Sequence, residues 1–512
     1  MESTIQVFPN QYYDSVQLLF ITSTIKKMTG VETALIAMGT PANKDVFIDI
    51  GFQSDAVAAA TPNDLIIGIK GIDQSACEQA MLEAQSMLTM TDGSEQDNVS
   101  YTSLEAAIRD DDRANLCIIA VPAQYVRSEA VKALEAGLHL LIFSDNVPLE
   151  DELAIKQLAG EKGLLCMGPD CGVTNINGIS FLVGSIVRQG PIGICAASGV
   201  GLQEVATLIH NHGSGVSQGI GTGGKDLKDQ IGGLTLLAGF QALENDPATR
   251  VIVLISRHPG PESLNKVISR VKGCAKPVVI CFMGCDRSAI EPSGKDYAAN
   301  LEEAARIALG YVGIGLEAAD QTADRATAQQ AAAGMSGEQK YLRGLFCGGT
   351  FCEEALVTLT PMIGDIYSNA PLVKELKLAK STVSYRHSLV DYGDEEFTLG
   401  RPHPVIDTEP RGSGILREAE DPETAVILLD FILGPAVNSD PVGSVIGQIR
   451  KARQIVRERG GQLAIVASVC GTEEDPQRLS VQEEMLREAG VIVCADNFQA
   501  ATLAGEIINA RK

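Results

Sequence analysis

Positive charge is scarce in this sequence: 41 Lys and Arg residues stand against 65 Asp and Glu residues, and the net charge is −24. A surface of that sign repels the phosphates of nucleic acids and anionic lipid headgroups. No apolar run approaches the ~18 residues of a membrane-spanning helix, and the first ten residues lack the basic and apolar stretches of a signal peptide. Composition therefore predicts a cytoplasmic protein without a nucleic-acid or membrane partner.

Closely spaced metal ligands are also missing. The sequence has twelve cysteines, but several lie in apolar, strand-like runs, where a thiol packs as a small hydrophobe. These are Cys117, Cys166, Cys195, Cys281 and Cys494. Cys281 and Cys285 are too far apart for a Cys-x-x-Cys pair, and His210 and His212 have no partner cluster nearby in sequence. The pattern predicts reduced thiols and no metal site.

Alternating apolar strands and helices fill most of the chain. With 512 residues and 45% hydrophobic content, several domains are expected. Residues 1–92 alternate three strands with three helices, which predicts a small α+β domain with a split βαβ arrangement. A polar linker, TDGSEQDNVS, follows. Residues 100–185 then show near-continuous apolar strands between helices, which predicts a Rossmann-like domain with a parallel sheet.

An internal repeat organises the remaining chain. The segments DPATRVIVLIS and DPETAVILLDF, beginning at Asp246 and Asp421, share six residues at identical spacing. Upstream, SGVGLQEVATL and GGTFCEEALVTL match in the same way, with Glu204 opposite Glu354. Each pair is a strand, a small-residue turn and a helix, so the repeat predicts two doubly wound, flavodoxin-like modules. They span residues 186–330 and 336–512. The predicted fold class is α/β.

Two strand–turn–helix junctions are candidate anion sites. Backbone N–H groups at the start of a helix lie at its positive end and suit a phosphate or carboxylate, and glycines let an anion approach closely. Tight packing of the sheet is the alternative reason for such turns. The first turn contains Ser198, Gly199, Val200 and Gly201. The equivalent turn contains Gly348, Gly349 and Thr350.

The run GIGTGGKD has the glycine and lysine spacing of a Walker A motif, but Asp226 stands where a hydroxyl should hold magnesium. A P-loop is therefore not expected. The run predicts a Gly-rich loop at the carboxyl edge of the sheet, where Gly223, Gly224 and Lys225 would lie near a bound anion. An ordinary connection is the alternative.

Two histidine-containing segments are candidate catalytic loops. Arg257 and His258 leave the strand VIVLIS at its carboxyl end, where open α/β sheets bind ligands. Arg401, His403 and Asp407 lie in GRPHPVID, a proline-stiffened loop whose arginine could hold a carboxylate or phosphate bidentately. A structural role remains the alternative for both loops.

Six segments spread over nearly the whole chain carry a family resemblance: MGTPANK, FSDNVPLEDE, MGPDCG, ASGVG, FCGGT and GRPHPVID. They resemble the FdrA family of acyl-CoA synthetase-like proteins. MGPDCG and ASGVG are also similar to turns of the succinyl-CoA synthetase α subunit that contribute to CoA and phosphate binding. The resemblance implies that the domain at 100–185 is of CoA-binding type and that the two modules are of ligase-CoA type. It places the phosphate at Ser198, Gly199 and Gly201. It places the CoA cleft at Pro122, Asn146, Asp170 and Cys171.

The sequence departs from the synthetase pattern in two places. The Rossmann-like region begins at a helix without a preceding Gly-rich turn, so CoA binding is left open. The synthetase carries phosphate on a histidine, but no histidine occurs between Pro259 and Arg386. Arg257 stands near the position of the family acid that faces that histidine, which suits direct binding of an acyl phosphate or carboxylate.

The resemblance thus implies a synthetase-like subunit that handles acyl phosphate or acyl-CoA chemistry without a phosphohistidine. FdrA proteins are also linked to carbamoyl transfer in oxamate, oxalurate and allantoin nitrogen metabolism. A carbamoyltransferase component using carbamoyl phosphate is therefore one alternative, and a non-catalytic scaffold is another. Because the sequence has no ATP-binding signature, separate protein subunits and an oligomer are expected.

Overall fold

The structure, a computed structural model, describes residues 2–511 except 12, 14, 27, 90–100, 102, 111–112, 317–320 and 399–400. The predicted linker TDGSEQDNVS lies outside the described residues. The chain divides into two compact units. The first contains Met1–Ser100 and Asp394–Asp407, and the second contains Tyr101–Gly393 and Thr408–Lys512.

The first unit is a three-stranded antiparallel sheet with helices. Its elements are β1 (Glu2–Phe8), α1 (Ser15–Lys26), β2 (Val31–Met38), α2 (Pro41–Asp49), α3 (Asp55–Ala59), β3 (Leu65–Gly71) and α4 (Gln74–Thr89). β3 lies between β1 and β2 and is antiparallel to both. This confirms the predicted split βαβ arrangement. β3 is nearly all apolar because it is the central strand, whereas β2 alternates buried and half-buried residues.

The second unit begins with a small parallel sheet. Its elements are α5 (Leu104–Asp110), β4 (Leu116–Ile119), α6 (Ala123–Glu135), β5 (His139–Ile142), α7 (Leu149–Glu161) and β6 (Cys166–Met167). The strand order is β4-β5-β6, and all three strands are parallel. Three acidic residues in the first turn of α7 favour its start because they face the positive end of the helix.

A seven-stranded sheet follows. Its elements are β7 (Val173–Ile176), β8 (Ile179–Leu182), β9 (Gln189–Ala197), α8 (Gly199–Asn211), β10 (Val216–Gly221), α9 (Leu234–Asn245), β11 (Val251–Ser256), α10 (Pro261–Val271), β12 (Val278–Phe282), α11 (Arg287–Ile290), a 3-10 turn (Glu291–Ser293), β13 (Asp296–Tyr297) and α12 (Leu301–Tyr311). The order is β13-β12-β11-β9-β10-β7-β8. β7 pairs antiparallel with β10 and forms a hairpin with β8, so the predicted boundary at residue 185 falls after strands that belong to this sheet.

A six-stranded parallel sheet completes the unit. Its region contains α13 (Gln321–Ala332), β14 (Tyr341–Phe346), α14 (Gly349–Ile363), β15 (Tyr367–Ser368), a 3-10 turn (Lys374–Leu376), β16 (Ser388–Asp391), α15 (Glu395–Thr398), α16 (Glu409–Glu420), β17 (Thr424–Ile432), α17 (Gly443–Glu458), β18 (Ala464–Cys470), α18 (Leu479–Glu488), β19 (Ile492–Cys494) and α19 (Asn497–Ala510). α15 belongs to the first unit. The order is β15-β16-β14-β17-β18-β19.

The two larger sheets are built alike. β9 and β14 each end at a turn that starts a helix, α8 or α14, and each has β11-β12-β13 or β17-β18-β19 on one side in the same order. The last helix, α12 or α19, follows the outermost of those strands. The topology confirms the two predicted doubly wound modules. Among the described helices, none has the length and apolar character needed to cross a membrane.

Candidate functional site

The first helices of the two modules meet end to end. Ser198 caps α8 by accepting the Gly201 N–H at 2.8 Å, and its Oγ lies 2.6 Å from the Thr350 Oγ1 at the start of α14. Both hydroxyl side chains are buried. The backbone N–H groups of Gly199 and Val200 at the start of α8, and those of Gly349 and Thr350 at the start of α14, have no acceptor among the described residues. The junction therefore gathers donors from two helix N-termini in one place.

Arg257 joins this junction from the carboxyl end of β11. Its Nε donates to Glu353 Oε2 at 2.5 Å, and the backbone N–H of His258 donates to Glu353 Oε1 at 3.3 Å. Burial acts to lower the pKa of Arg257, but the charges of Glu353 and Asp391 outweigh it and raise that pKa. The Arg257 side chain is 39% exposed. A fixed, charged and accessible guanidinium therefore lies beside the helix junction.

The two turns differ in whether a side chain of the protein already accepts their backbone N–H groups. In the second turn the buried Asp430 carboxylate accepts the N–H groups of Cys347 and Gly348, each at 2.8 Å. Arg411 forms an ion pair with Asp430 at 3.0 Å, and both side chains are at most 1% exposed. An internal carboxylate thus takes the place that an external anion would take at Gly348. The donors left at this turn belong to Gly349 and Thr350.

The glycines of the two turns differ in how closely other atoms surround them. Gly199 is not in the left-handed region, and a Cβ there would meet Val173 only at an ordinary 3.5 Å. Crowding is severe at Gly201, where a Cβ would lie 2.8 Å from Ser198 Oγ. It is more severe at Gly349, where a Cβ would lie 2.5 Å from Asp391 Oδ2 and 3.1 Å from Arg257 Nη1. Gly349 is the position that keeps the charged groups close to the helix start.

Two repeat-related glutamates lock the modules together. Glu354 on α14 accepts the N–H of Leu301, the first residue of α12, at 2.9 Å. Glu204 on α8 accepts the N–H of Asn497, the first residue of α19, at 3.4 Å. Each glutamate therefore caps the last helix of the other module. Burial raises the pKa of Glu204 to about 8 and the pKa of Glu354 to about 7.

These raised pKa values predict a stability that depends on pH. Because the folded pKa of Glu204 lies above its unfolded value near 4.5, its contribution is complete below that value and is lost as pH rises toward 8. Glu204→Gln keeps an acceptor for Asn497 but cannot ionise. Between pH 6 and 8 the free energy of unfolding should fall by roughly 2–3 kcal/mol less in the variant than in the wild type. Urea unfolding at both pH values measures this difference.

The control for that experiment is Glu423→Gln, because Glu423 pairs with Lys340 at the surface. This variant should follow the wild-type pH dependence. If Glu204→Gln also followed it, the carboxyl of Glu204 would titrate normally and the assignment of its pKa would be wrong.

The residues assigned to a CoA cleft lie along the carboxyl ends of β4, β5, β6 and β10. Ser144 follows β5, and its hydroxyl donates to Val121 O in the loop after β4 at 2.5 Å. Its backbone carbonyl accepts the N–H of Asp170, in the loop after β6, at 3.0 Å. Lys225 Nζ reaches Val147 O at 3.5 Å. The structure thus brings the loops of Pro122, Asn146, Asp170, Gly224 and Lys225 to one rim.

The rim does not fit the phosphates of CoA. Lys225 brings one ammonium group, whereas exposed Asp145 and Asp170 bring two carboxylates. Cys171 is buried and its thiol bonds to Val173 O, so it faces the core rather than a cleft. Gly223 adopts a positive φ of 86° and packs against Pro169 O, which gives it a packing role.

The P-loop interpretation is excluded by Asp226. Its buried carboxylate accepts from Lys156 Nζ at 2.7 Å and from the N–H groups of Thr235 and Leu236 at the start of α9. Burial acts to lower the pKa of Lys156, but Asp226 and Glu152 raise it. This network connects the small sheet to the seven-stranded sheet and uses the Asp226 carboxylate for internal contacts.

The proline-stiffened loop lies in the other compact unit. Arg401, His403 and Asp407 belong to Asp394–Asp407, which the first unit contains. The backbone N–H groups of Ile406 and Asp407 donate to His403 O, and burial lowers the pKa of the His403 imidazole. Their assignment as an anion clamp stays a prediction.

Sequence reasoning missed Glu353, Asp391, Asp430 and Arg411. The signal for Asp430 was present, because it is a lone carboxylate inside the apolar strand TAVILLDFI. A buried charge in such a strand needs a partner and therefore marks a network. Glu353, by contrast, is one of two adjacent glutamates on a helix, and only the packing of the modules distinguishes it from Glu354.

Comparison with known proteins identifies the type of one domain. A CoA-ligase family model matches residues 345–507, which include most of the six-stranded sheet. The succinate–CoA ligase α subunit of Aquifex aeolicus is 29% identical over 177 residues, covering 33% of this chain and 57% of that protein. The malate–CoA ligase α subunit of Methylorubrum extorquens is 28% identical over 174 residues, covering 32% and 57%. Residues 345–507 thus form a CoA-ligase-type domain.

The family follows from a match over the full length. YahF of Escherichia coli (strain K12) is 42% identical over 509 residues, which is 99% of each chain. This chain belongs to the same family as YahF. Among solved structures, an ATP citrate lyase from Methanothrix soehngenii in complex with citrate and coenzyme A matches with a TM-score of 0.36 at 16% identity, covering 44% of this chain and 45% of that one.

The N-terminal region matches a metal-associated family, but its residues do not form a heavy-metal site. A family model described as the heavy metal-associated domain of AllF matches residues 1–103. This region contains one cysteine, Cys77, and no histidine. Cys77 lies on α4 and faces the core, where burial raises the pKa of its thiol. A soft metal ion needs a set of thiolate or imidazole ligands, so this donor set does not fit one.

Proposed function

We propose that this chain is a CoA-ligase-type subunit that binds a small acyl phosphate and handles its acyl group without a phosphohistidine. The observation that supports the proposal is the meeting of two helix N-termini at Ser198 and Thr350, with the guanidinium of Arg257 beside them. In this proposal the N–H groups of Gly199 and Val200 bind phosphate oxygens.

The arrangement suits the departure of phosphate. When a nucleophile attacks the acyl carbon, the new bond to carbon forms and the carbon–oxygen bond to phosphate breaks, with its electron pair remaining on the phosphate. Negative charge therefore grows on the phosphate oxygens. Fixed N–H dipoles and Arg257 stabilise that charge without reorganising, which lowers the barrier. The general base and the nucleophile are not assigned.

A second candidate is carbamoyl transfer, which the resemblance to FdrA proteins also implies. Carbamoyl phosphate is an acyl phosphate with one phosphate group. The acidic rim around Asp145 and Asp170 favours such a ligand over CoA with its several phosphates. Either reaction requires further protein subunits in this proposal, because the sequence has no ATP-binding signature. A cytoplasmic oligomer is part of the same proposal.

The proposal predicts that no histidine of this chain becomes phosphorylated. The guanidinium of Arg257 and the carboxylate of Glu353 lie at the junction, and the only histidine nearby in the described part of the chain, His258, is exposed. After incubation with acetyl phosphate or ATP, mass spectrometry under alkaline conditions should find no phosphohistidine. Stoichiometric phosphate on His258 would contradict the proposed mechanism.

A further inference from the structure

The interface between the two modules contains a pair of equivalent contacts that differ in chemistry. Gln203 and Glu353 occupy the same position on α8 and α14, one residue before the paired glutamates of the repeat. His258 and Leu433 are likewise equivalent, at the spacing that relates Asp246 to Asp421. Gln203 Nε2 donates to Leu433 O at 2.7 Å, and Glu353 Oε1 accepts the His258 N–H at 3.3 Å.

Both contacts therefore hold the opposite module by the backbone of the loop that follows β11 or β17. A neutral amide is sufficient for such a contact between the modules, as Gln203 shows. Glu353 does the same with a charged group, and its second oxygen bonds Arg257 Nε. Since a carboxylate is harder to bury than an amide, its presence at a buried position calls for a partner beyond the backbone contact. That partner is Arg257.

The geometry points to Glu353 as the positioning residue of Arg257, which we infer to be a receptor for a substrate oxyanion. The inference rests on the proposed function and names the residue that completes its site. Glu353 takes the Nε edge of the guanidinium, and Arg257 Nη1 lies beside Gly349. The two Nη groups form the edge of the guanidinium that recognises phosphate or carboxylate bidentately. The equivalent loop at Leu433 has no cation, so only one of the two related loops binds an anion.

The test compares Glu353→Gln with Gln203→Ala as its matched control. Both side chains are buried and both make the cross-module contact. Calorimetric titration with carbamoyl phosphate and with inorganic phosphate should show about tenfold weaker binding to Glu353→Gln, and Glu353→Asp should recover part of the loss. Gln203→Ala should bind within about twofold of the wild type. Equal affinities for Glu353→Gln and the wild type would overturn the inference.

A second measurement needs no substrate. Because Arg257 is 39% exposed, phenylglyoxal reaches it, and peptide mass spectrometry gives its rate of modification. Release from Glu353 should raise that rate several-fold in Glu353→Gln and leave it unchanged in Gln203→Ala. If the wild type bound no phosphate while this rate rose as expected, the proposed function would fail and the positioning role would stand. An unchanged rate in Glu353→Gln would refute the positioning role.

Discussion

Gly349→Ala should reduce the affinity of the chain for carbamoyl phosphate at least a hundredfold. The added Cβ would lie 2.5 Å from Asp391 Oδ2 and 3.1 Å from Arg257 Nη1, distances that real Cβ atoms avoid. The Asp391 carboxylate must then move away from the start of α14, the guanidinium of Arg257 must shift by a few tenths of an ångström, and the donors of the junction lose their alignment. Two orders of magnitude correspond to about 2.8 kcal/mol of lost binding free energy. Calorimetric titration measures the change.

Two further glycine-to-alanine variants serve as controls for that result. Gly447→Ala lies on the exposed face of α17 with nothing within 4 Å of the new methyl group, so it should bind like the wild type. Gly199→Ala keeps its N–H and meets Val173 only at 3.5 Å, so its loss should be much smaller than that of Gly349→Ala. If Gly349→Ala bound like Gly447→Ala while folding normally, the second turn would have no part in the site.

Asp430→Asn should destabilise the second unit by about 3–5 kcal/mol, because it removes one partner of a fully buried ion pair. Arg411 would keep its charge without a carboxylate. The asparagine amide would also face the N–H groups of Cys347 or Gly348, one of which would lose its acceptor. The midpoint of urea unfolding should fall accordingly. Glu423→Gln, in an exposed pair with Lys340, serves as the control and should have little effect.

An unchanged midpoint in Asp430→Asn would mean that the carboxylate is not the group that closes the second turn. The anion site at Gly348 would then be open, as the sequence alone had predicted.

The modules themselves could be predicted from sequence because the repeat carries the same strand, turn and helix twice. Glu204 and Glu354 matched in register, and the structure gives them equivalent caps on α19 and α12. Periodicity and short apolar runs also predicted the split βαβ unit, since β3 is apolar throughout as a central strand must be. These features depend on local pattern.

The chemistry at the junction could not be predicted in the same way because it depends on contacts between distant residues. Asp430 closes the second turn from a strand more than 80 residues away. Arg257 was expected at a sheet edge, but its partner Glu353 lies on the other module. The sequence also did not distinguish among the glycines of the two turns, whereas a side chain would be crowded at Gly201 and Gly349 and not at Gly199. Which glycine is essential is decided by the packing of neighbouring elements.

The central claim is that one small acyl phosphate binds where α8 and α14 meet. Titration of the wild-type chain with carbamoyl phosphate, followed by calorimetry, tests it most directly. The account predicts one bound molecule per chain, because Asp430 already closes the second turn and leaves a single open site. It also predicts competition by inorganic phosphate. Binding of two molecules, or no binding at any concentration that saturates a millimolar site, would contradict the account.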